Sequence, residues 1–259
     1  MKKLLWSILI SLLLTARGFS GANSCGGDGA LLSLLNRPTF QDSACTVPSN
    51  HLVLEMGYAN QLLNGNAGHG YDVPEAVLRL GLPNDNELFF IFPDYFNYYA
   101  SGFDAPTLGM KHEFVYTPNW LLSGEISVTL PTGSQYFGNT GYGATINTLF
   151  AYNITSEITL STVLGVSTQT APSGLGGQRF NSFNPDFVLA WKPQSRLQIY
   201  GELYGQSQIL PGVGPTYLLD GGVQYLITKN FEVDFSAGLP LKGDLGFVHY
   251  IAIGLGIMF

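Results

Sequence analysis

Residues 246–259 read GFVHYIAIGLGIMF, and this stretch decides the fold. Counting back from Phe259, the large residues Ile257, Leu255, Ile253 and Ile251 alternate with Met258, Gly256, Gly254 and Ala252. A period of two is that of a strand, here with one bulky face and one mostly small face. A chain terminus is ordinarily polar and frays at little cost. A strand this apolar therefore needs a surface that keeps its bulky face from water, either a protein core or lipid.

The rest of the chain favours lipid. Charged residues make up 11% of the 259, well below the ~25% of ordinary globular chains, while Gly reaches 32 residues and aromatics 13%. That mixture suits β-structure with many turns and excludes a disordered or coiled-coil protein. About twelve strands are expected, near 51–62, 73–82, 87–95, 107–117, 121–130, 143–153, 157–167, 185–192, 196–206, 215–227, 231–238 and 246–259. Most approach the ~9–11 residues that a tilted membrane strand requires. Past the N-terminal leader no apolar run is long enough for a spanning helix, so a membrane protein of this sequence must be a barrel.

The connections sort by length. PNDN, PNW, ITS, PQS and TKN are tight turns rich in Pro, Asn and Ser, whereas NGNAGHGYD, FNYYASGFDAP, PTGSQYFGNTGY and TQTAPSGLGGQRFNSFN are long and aromatic. Short turns at one rim and long loops at the other are the pattern of an all-β, transmembrane, antiparallel up-and-down barrel in the bacterial outer membrane. Tyr116, Trp120, Tyr152, Trp191, Tyr225 and Phe231 flank the short turns, as an interfacial girdle would. An even strand number puts both termini on the periplasmic side and lets the last strand pair with the first, leaving no edge. The expected partners are membrane lipid and the barrel-assembly machinery, for which the terminal aromatic Phe259 is the expected insertion signal.

Before the barrel lie two further segments. Lys2, Lys3 and the apolar run LLWSILISLLL, followed by Ser20-Gly21-Ala22, read as a signal peptide over 1–22. Without it, 8 basic residues face 18 acidic ones, a balance that excludes nucleic acid as a partner. Residues 23–50 carry the two cysteines, Cys25 and Cys45. A disulfide is the expected state, with acylation of Cys25 as the alternative. DGALLSLLNRP, with Asp28 near its start and Pro38 at its end, suits one short helix. This segment could plug the lumen, cover the periplasmic mouth or form a simple ordered leader.

Within the strands, charge selects the inward face. Leu78, Leu80 and Leu82 oppose Arg79, and Leu197, Ile199 and Leu203 oppose Gln198 and Glu202. The expected lumen-lining set is Glu55, Glu75, Arg79, Phe89, Lys111, Glu113, Glu125, Tyr200, Glu202, Asp220 and Asp234, with Lys111 and Glu125 in diagonal reach across neighbouring strands. Twelve strands enclose more than the eight that side chains alone fill and less than an open porin, so a narrow or plugged conduit is expected.

The runs YDVPEAVLRLGLPNDNELFFIFPDY, LGMKHEFVYTP, GEISVTLPTGS, YGELYGQSQ and YLLDGGVQYLITKNFEVDFSAGLPLKG resemble the outer-membrane proteins of the meta-pathway phenol degradation family, over about 50–259. The resemblance implies a barrel that passes small hydrophobic or aromatic solutes.

No reactive constellation competes with that reading. His51, His69, His112 and His249 are widely spaced and suggest no metal site, and PSGLGGQ and GNTGYG lack the strand-to-helix setting of a phosphate loop, so no cofactor is expected. The leading expectation is a monomeric, non-enzymatic channel for passive diffusion. Two alternatives stand beside it: a structural or surface-recognition barrel using its long aromatic loops, and a rim hydrolase or acyltransferase built around His249.

Overall fold

The computed structural model describes residues 25–27 and 29–259; the expected signal peptide and Asp28 lie outside the described residues. One short helix, α1 (Ala30–Leu34), precedes fifteen strands. They are β1 (Leu52–Leu63), β2 (His69–Val73), β3 (Val77–Leu82), β4 (Asn86–Ile91), β5 (Tyr95–Asn97), β6 (Ser101–Phe103), β7 (Thr107–Tyr116) and β8 (Trp120–Thr129). After them come β9 (Gly143–Asn153), β10 (Ile158–Thr170), β11 (Arg179–Gln194), β12 (Leu197–Gln206), β13 (Thr216–Thr228), β14 (Phe231–Lys242) and β15 (Phe247–Met258).

From β7 onward each strand pairs antiparallel with its sequence neighbour, and β15 closes on β1 from Val53 opposite Met258 to Leu62 opposite His249. Three staves are each split into two strands: β2 with β3, β4 with β5, and β6 with β7. Counted that way, the fifteen strands form a closed barrel of twelve staves.

All three interruptions contain a proline: Pro74 in 74–76, Pro93 in 92–94 and Pro106 in 104–106. Proline cannot donate to a sheet ladder, and in a central strand its missing N–H leaves a hole. Only scattered bonds span the breaks, among them Gly57 N–H to Pro74 O at 2.6 Å, Phe92 N–H to Ala76 O at 2.9 Å and Asp104 N–H to Asp94 O at 3.1 Å. Glu75, at φ 46°, takes the left-handed region that most side chains avoid. The expected continuous strands over 73–82 and 87–95 are therefore corrected to broken ones. The expected long loop TQTAPSGLGGQRFNSFN is likewise mostly wall, since β10 runs to Thr170 and β11 starts at Arg179.

Apolar and polar faces are inverted relative to a water-soluble protein. Ile146, Val166, Leu189, Ile251 and Ile253 are each about half exposed on the outside, whereas Glu55, Arg79, Lys111 and Glu232 inside are almost wholly buried. Exposed charges such as Asp85, Glu157, Arg196, Lys229 and Asp244 stand at turns and rims. A mid-membrane Arg or Lys on the outer face would cost ~2–4 kcal/mol, and this wall carries none. His112, whose phase turns it outward, bonds Asn86 Oδ1 at 3.1 Å beside a short turn.

The described residues between 25 and 50 lie inside the ring. Leu31, Leu32 and Leu34 of α1 are buried, and they pack with wall residues Leu121, Leu149 and Val163 on one side and Val53 and Leu226 on the other. Cys25 and Cys45 are joined by a disulfide.

Candidate functional site: the occupied lumen and the gap in the wall

The inward carboxylates hold the backbone of the N-terminal segment. Glu55 Oε2 accepts the N–H groups of Asn36 and Arg37, both at 2.8 Å. Glu87 accepts from Val47 N–H at 2.8 Å, and Glu113 accepts from Thr46 N–H at 2.7 Å and its hydroxyl at 2.9 Å. Across the lumen, Glu202 accepts Phe40 and Gln41 N–H, each at 3.0 Å. Cations and polar side chains take the carbonyls in turn. Arg79 donates to Leu34 O and to Cys45 O, Lys111 to Ser43 O at 2.8 Å, Tyr200 to Pro38 O at 3.1 Å and Gln224 to Arg37 O at 2.8 Å. A buried loop needs its backbone groups satisfied, and the barrel wall supplies partners beside those within the segment itself.

Ion pairs tie these groups together. Arg79 binds Glu87 at 2.8 Å and Glu55 at 3.1 Å, and Lys111 stands 3.5 Å from Glu125. Lys111 and Glu125 are directly opposite in the ladder, not diagonal as expected, because the register of β7 and β8 sets them face to face. Arg37 reaches Glu75 at the β2–β3 break and Asp234 on β14. Burial alone would lower its pKa, but the two carboxylates more than offset that and raise it.

The small face of the closing strand has its explanation here. A side chain at Gly254 would strike Arg37, one at Gly256 would strike Leu35, and one at Gly57 on the facing strand would strike the Arg37 guanidinium. On β3, Gly81 leaves room for the carbonyls of Val47 and Pro48. These glycines admit the N-terminal segment against the wall.

Of the expected lumen residues, Glu55, Arg79, Glu113, Tyr200 and Glu202 bind the segment's backbone, while Lys111, Glu75 and Asp234 bind it through its carbonyl or its arginine. Glu125 joins the Lys111 network, Phe89 fills the space above Gly109, and Asp220 accepts the Tyr250 hydroxyl at 3.0 Å. Sequence reasoning missed Glu87, although its neighbour on the same strand face, Phe89, was placed inward, and Arg37, because it lies outside the strands. Phe259 exchanges two backbone bonds with Leu52 at the closing seam. His249 is exposed on β15, where it stands opposite Leu62 in the ladder, and its side chain bonds none of the described residues. Among the described residues no cluster of three or more His, Cys, Asp or Glu is arranged to hold a metal.

Beside the three broken staves lies an apolar cavity of about 740 Å³, lined by residues including Leu54, Met56, Ala76, Phe92, Phe103 and Pro106. On the other face of the same wall a vestibule of about 310 Å³ is lined by Ala105, Phe137, Phe180 and Leu210 among others. Asp104 borders both, so the two spaces are separated by the segment at the third break. A narrower cleft of about 200 Å³ runs between the N-terminal segment and β9–β12, past Ser161, Lys192 and Gln198.

A ring of twelve antiparallel staves, apolar outside and charged inside, with its lumen occupied by its own N-terminal segment, is a membrane-spanning barrel of the outer-membrane type. The chain belongs to the family described as Putative MetA-pathway of phenol degradation, whose model matches residues 35–244. Among solved structures it is similar to the COG4313 outer membrane channel from Pseudomonas putida F1, with 11% identity, a TM-score of 0.65, and coverage of 85% of this chain and 99% of that one. It is also similar to the NanC porin, at 13% identity and TM-score 0.55 over 80% of this chain and 98% of that chain. The KdgM porin aligns at 10% identity and TM-score 0.53 over 79% and 99%. At these identities the likeness is one of fold. No match was found among curated proteins.

Proposed function

We propose that the protein is a passive, non-enzymatic outer-membrane channel for small hydrophobic or aromatic solutes, which enter the vestibule and leave sideways through the gap in the wall. The observation that carries this is the pair of cavities meeting at Asp104, one inside and one facing lipid. A solute of low water solubility gains nothing from an aqueous exit, and an apolar pocket open to the membrane lets it stay out of water. The occupied lumen supports the same reading. Residues 25–50 act as a plug that leaves hydrophilic solutes only the narrow cleft. Membership of the phenol degradation family and the fold shared with outer-membrane channels support a conduit, which we take to be a monomer inserted by the barrel-assembly machinery.

The test is uptake of a radiolabelled aromatic hydrocarbon by cells with and without the protein, beside planar-bilayer conductance. Faster uptake with small conductance is expected. Equal uptake in both strains would overturn the proposal.

A further inference from the structure

The charges in the lumen are unevenly divided. Arg37, Arg79 and Lys111 all pair with carboxylates of the strands from β1 to β8 and β14 or of the β2–β3 break. On β11–β13 the carboxylates of Asp186, Glu202 and Asp220 have no described cation in ion-pair range. They are neighbours: Glu202 stands opposite Asp220 in the ladder, and Asp186 is opposite Tyr204, two positions along β12 from Glu202. Asp186 is 1% exposed, and its oxygens meet no cation and no side-chain donor other than the neighbouring Glu202 carboxyl. One oxygen of Asp220 likewise meets no cation. Three buried carboxyls with no counter-charge can stay together only by sharing protons, and a cation brought among them would replace those protons.

What occupies it indicates what it takes. The N-terminal segment presents a benzene ring next to two N–H donors. Phe40 stacks on Tyr204 at 5.2 Å and meets Tyr250 edge-on at 5.9 Å, while the N–H groups of Phe40 and Gln41 go to Glu202. Phe40 is 51% exposed although it lies within the barrel, so its ring borders open lumen. Two neutral amides reach Glu202 and bring no charge to the three carboxyls.

We propose that this is a binding site for an arylalkyl ammonium ion, which displaces the Phe40–Gln41 turn. Its ring would take the place of Phe40 on Tyr204. Its ammonium, with three donors and a full charge, would serve Glu202, Asp186 and Asp220 together, and charge-assisted bonds of that kind are stronger than amide ones. The tyrosine faces add a cation–π attraction.

The inference rests on the reading that solutes meet the N-terminal segment inside the lumen. Calorimetry on the purified full chain in detergent, with 2-phenylethylamine and its neutral analogue 2-phenylethanol as probes, tests it. Saturable binding of the amine alone is expected, at least tenfold weaker in Asp186→Asn and several-fold tighter in Phe40→Ala, which weakens the competing turn. Heat-dependent gel mobility checks folding, and Asp220→Asn replaces Asp186→Asn if that variant does not fold. Absence of amine binding in both the native chain and Phe40→Ala would overturn the proposal. So would equal binding of the alcohol, or carboxamide variants that bind the amine unchanged. Failure here with uptake of neutral hydrocarbon intact removes this site and leaves the channel; amine binding without hydrocarbon uptake does the reverse.

Discussion

The two sides of this barrel obey the same topology and differ in what proline does to them. From β8 to β15 the staves run unbroken for 10–16 residues. In β3 and β4 the ladder lasts 6 residues before a proline interrupts it. The broken side loses ladder bonds and gains a cavity, yet it is also where the N-terminal segment is tied most densely. Glu55, Glu87 and Glu113 take its N–H groups there and Arg79 and Lys111 take its carbonyls, while from the continuous side Glu202 takes two N–H groups and Asp234 holds Arg37. The difference teaches that the segment is bonded most densely to the side chains of the half of the wall that the prolines interrupt.

Three variants would break or sharpen that contrast. The largest effect is expected from Arg79→Leu, which leaves Glu55 and Glu87 buried without their cation. Removing one partner of a buried pair costs about 3–5 kcal/mol, to be read as a lower urea midpoint for unfolding from detergent. Next comes Cys25→Ser with Cys45→Ser. The 20-residue separation gives the disulfide a value of roughly 3 kcal/mol in the chain-entropy model. Because the loop lies in the lumen, its loss should show as faster proteolysis of residues 25–50 and larger bilayer currents, with the barrel still folded. The smallest is Gly57→Leu, which drives Arg37 from the wall at an overpacking cost of about 1–3 kcal/mol. Current noise should rise in that variant, and an equal rise from a leucine on the outer face of β10 would contradict the local explanation.

Much of this was legible in the sequence, and the reasons are specific. The alternation in 246–259 and the sorted turns gave twelve staves, because lipid outside and charge inside leave a period of two on each strand. The inward set from Glu55 to Asp234 could be phased for the same reason. What those residues do was not legible. Whether Glu202 lines a conduit or holds Phe40 and Gln41 depends on where a segment more than 160 positions away is placed, and no local pattern encodes that. The breaks were half visible. Pro74, Pro93 and Pro106 stand in plain sight, but that three separate prolines fall on consecutive staves and border one cavity follows only from the register.

The central claim is that solutes leave through that cavity. Ala76→Trp tests it most directly, since Ala76 is buried and lines the cavity, while the far lumen and the N-terminal segment are untouched. With the variant folded and inserted, uptake of labelled aromatic hydrocarbon should fall to that of cells lacking the protein, while the small ionic conductance stays as it was. Uptake equal to that of the native chain would contradict the account.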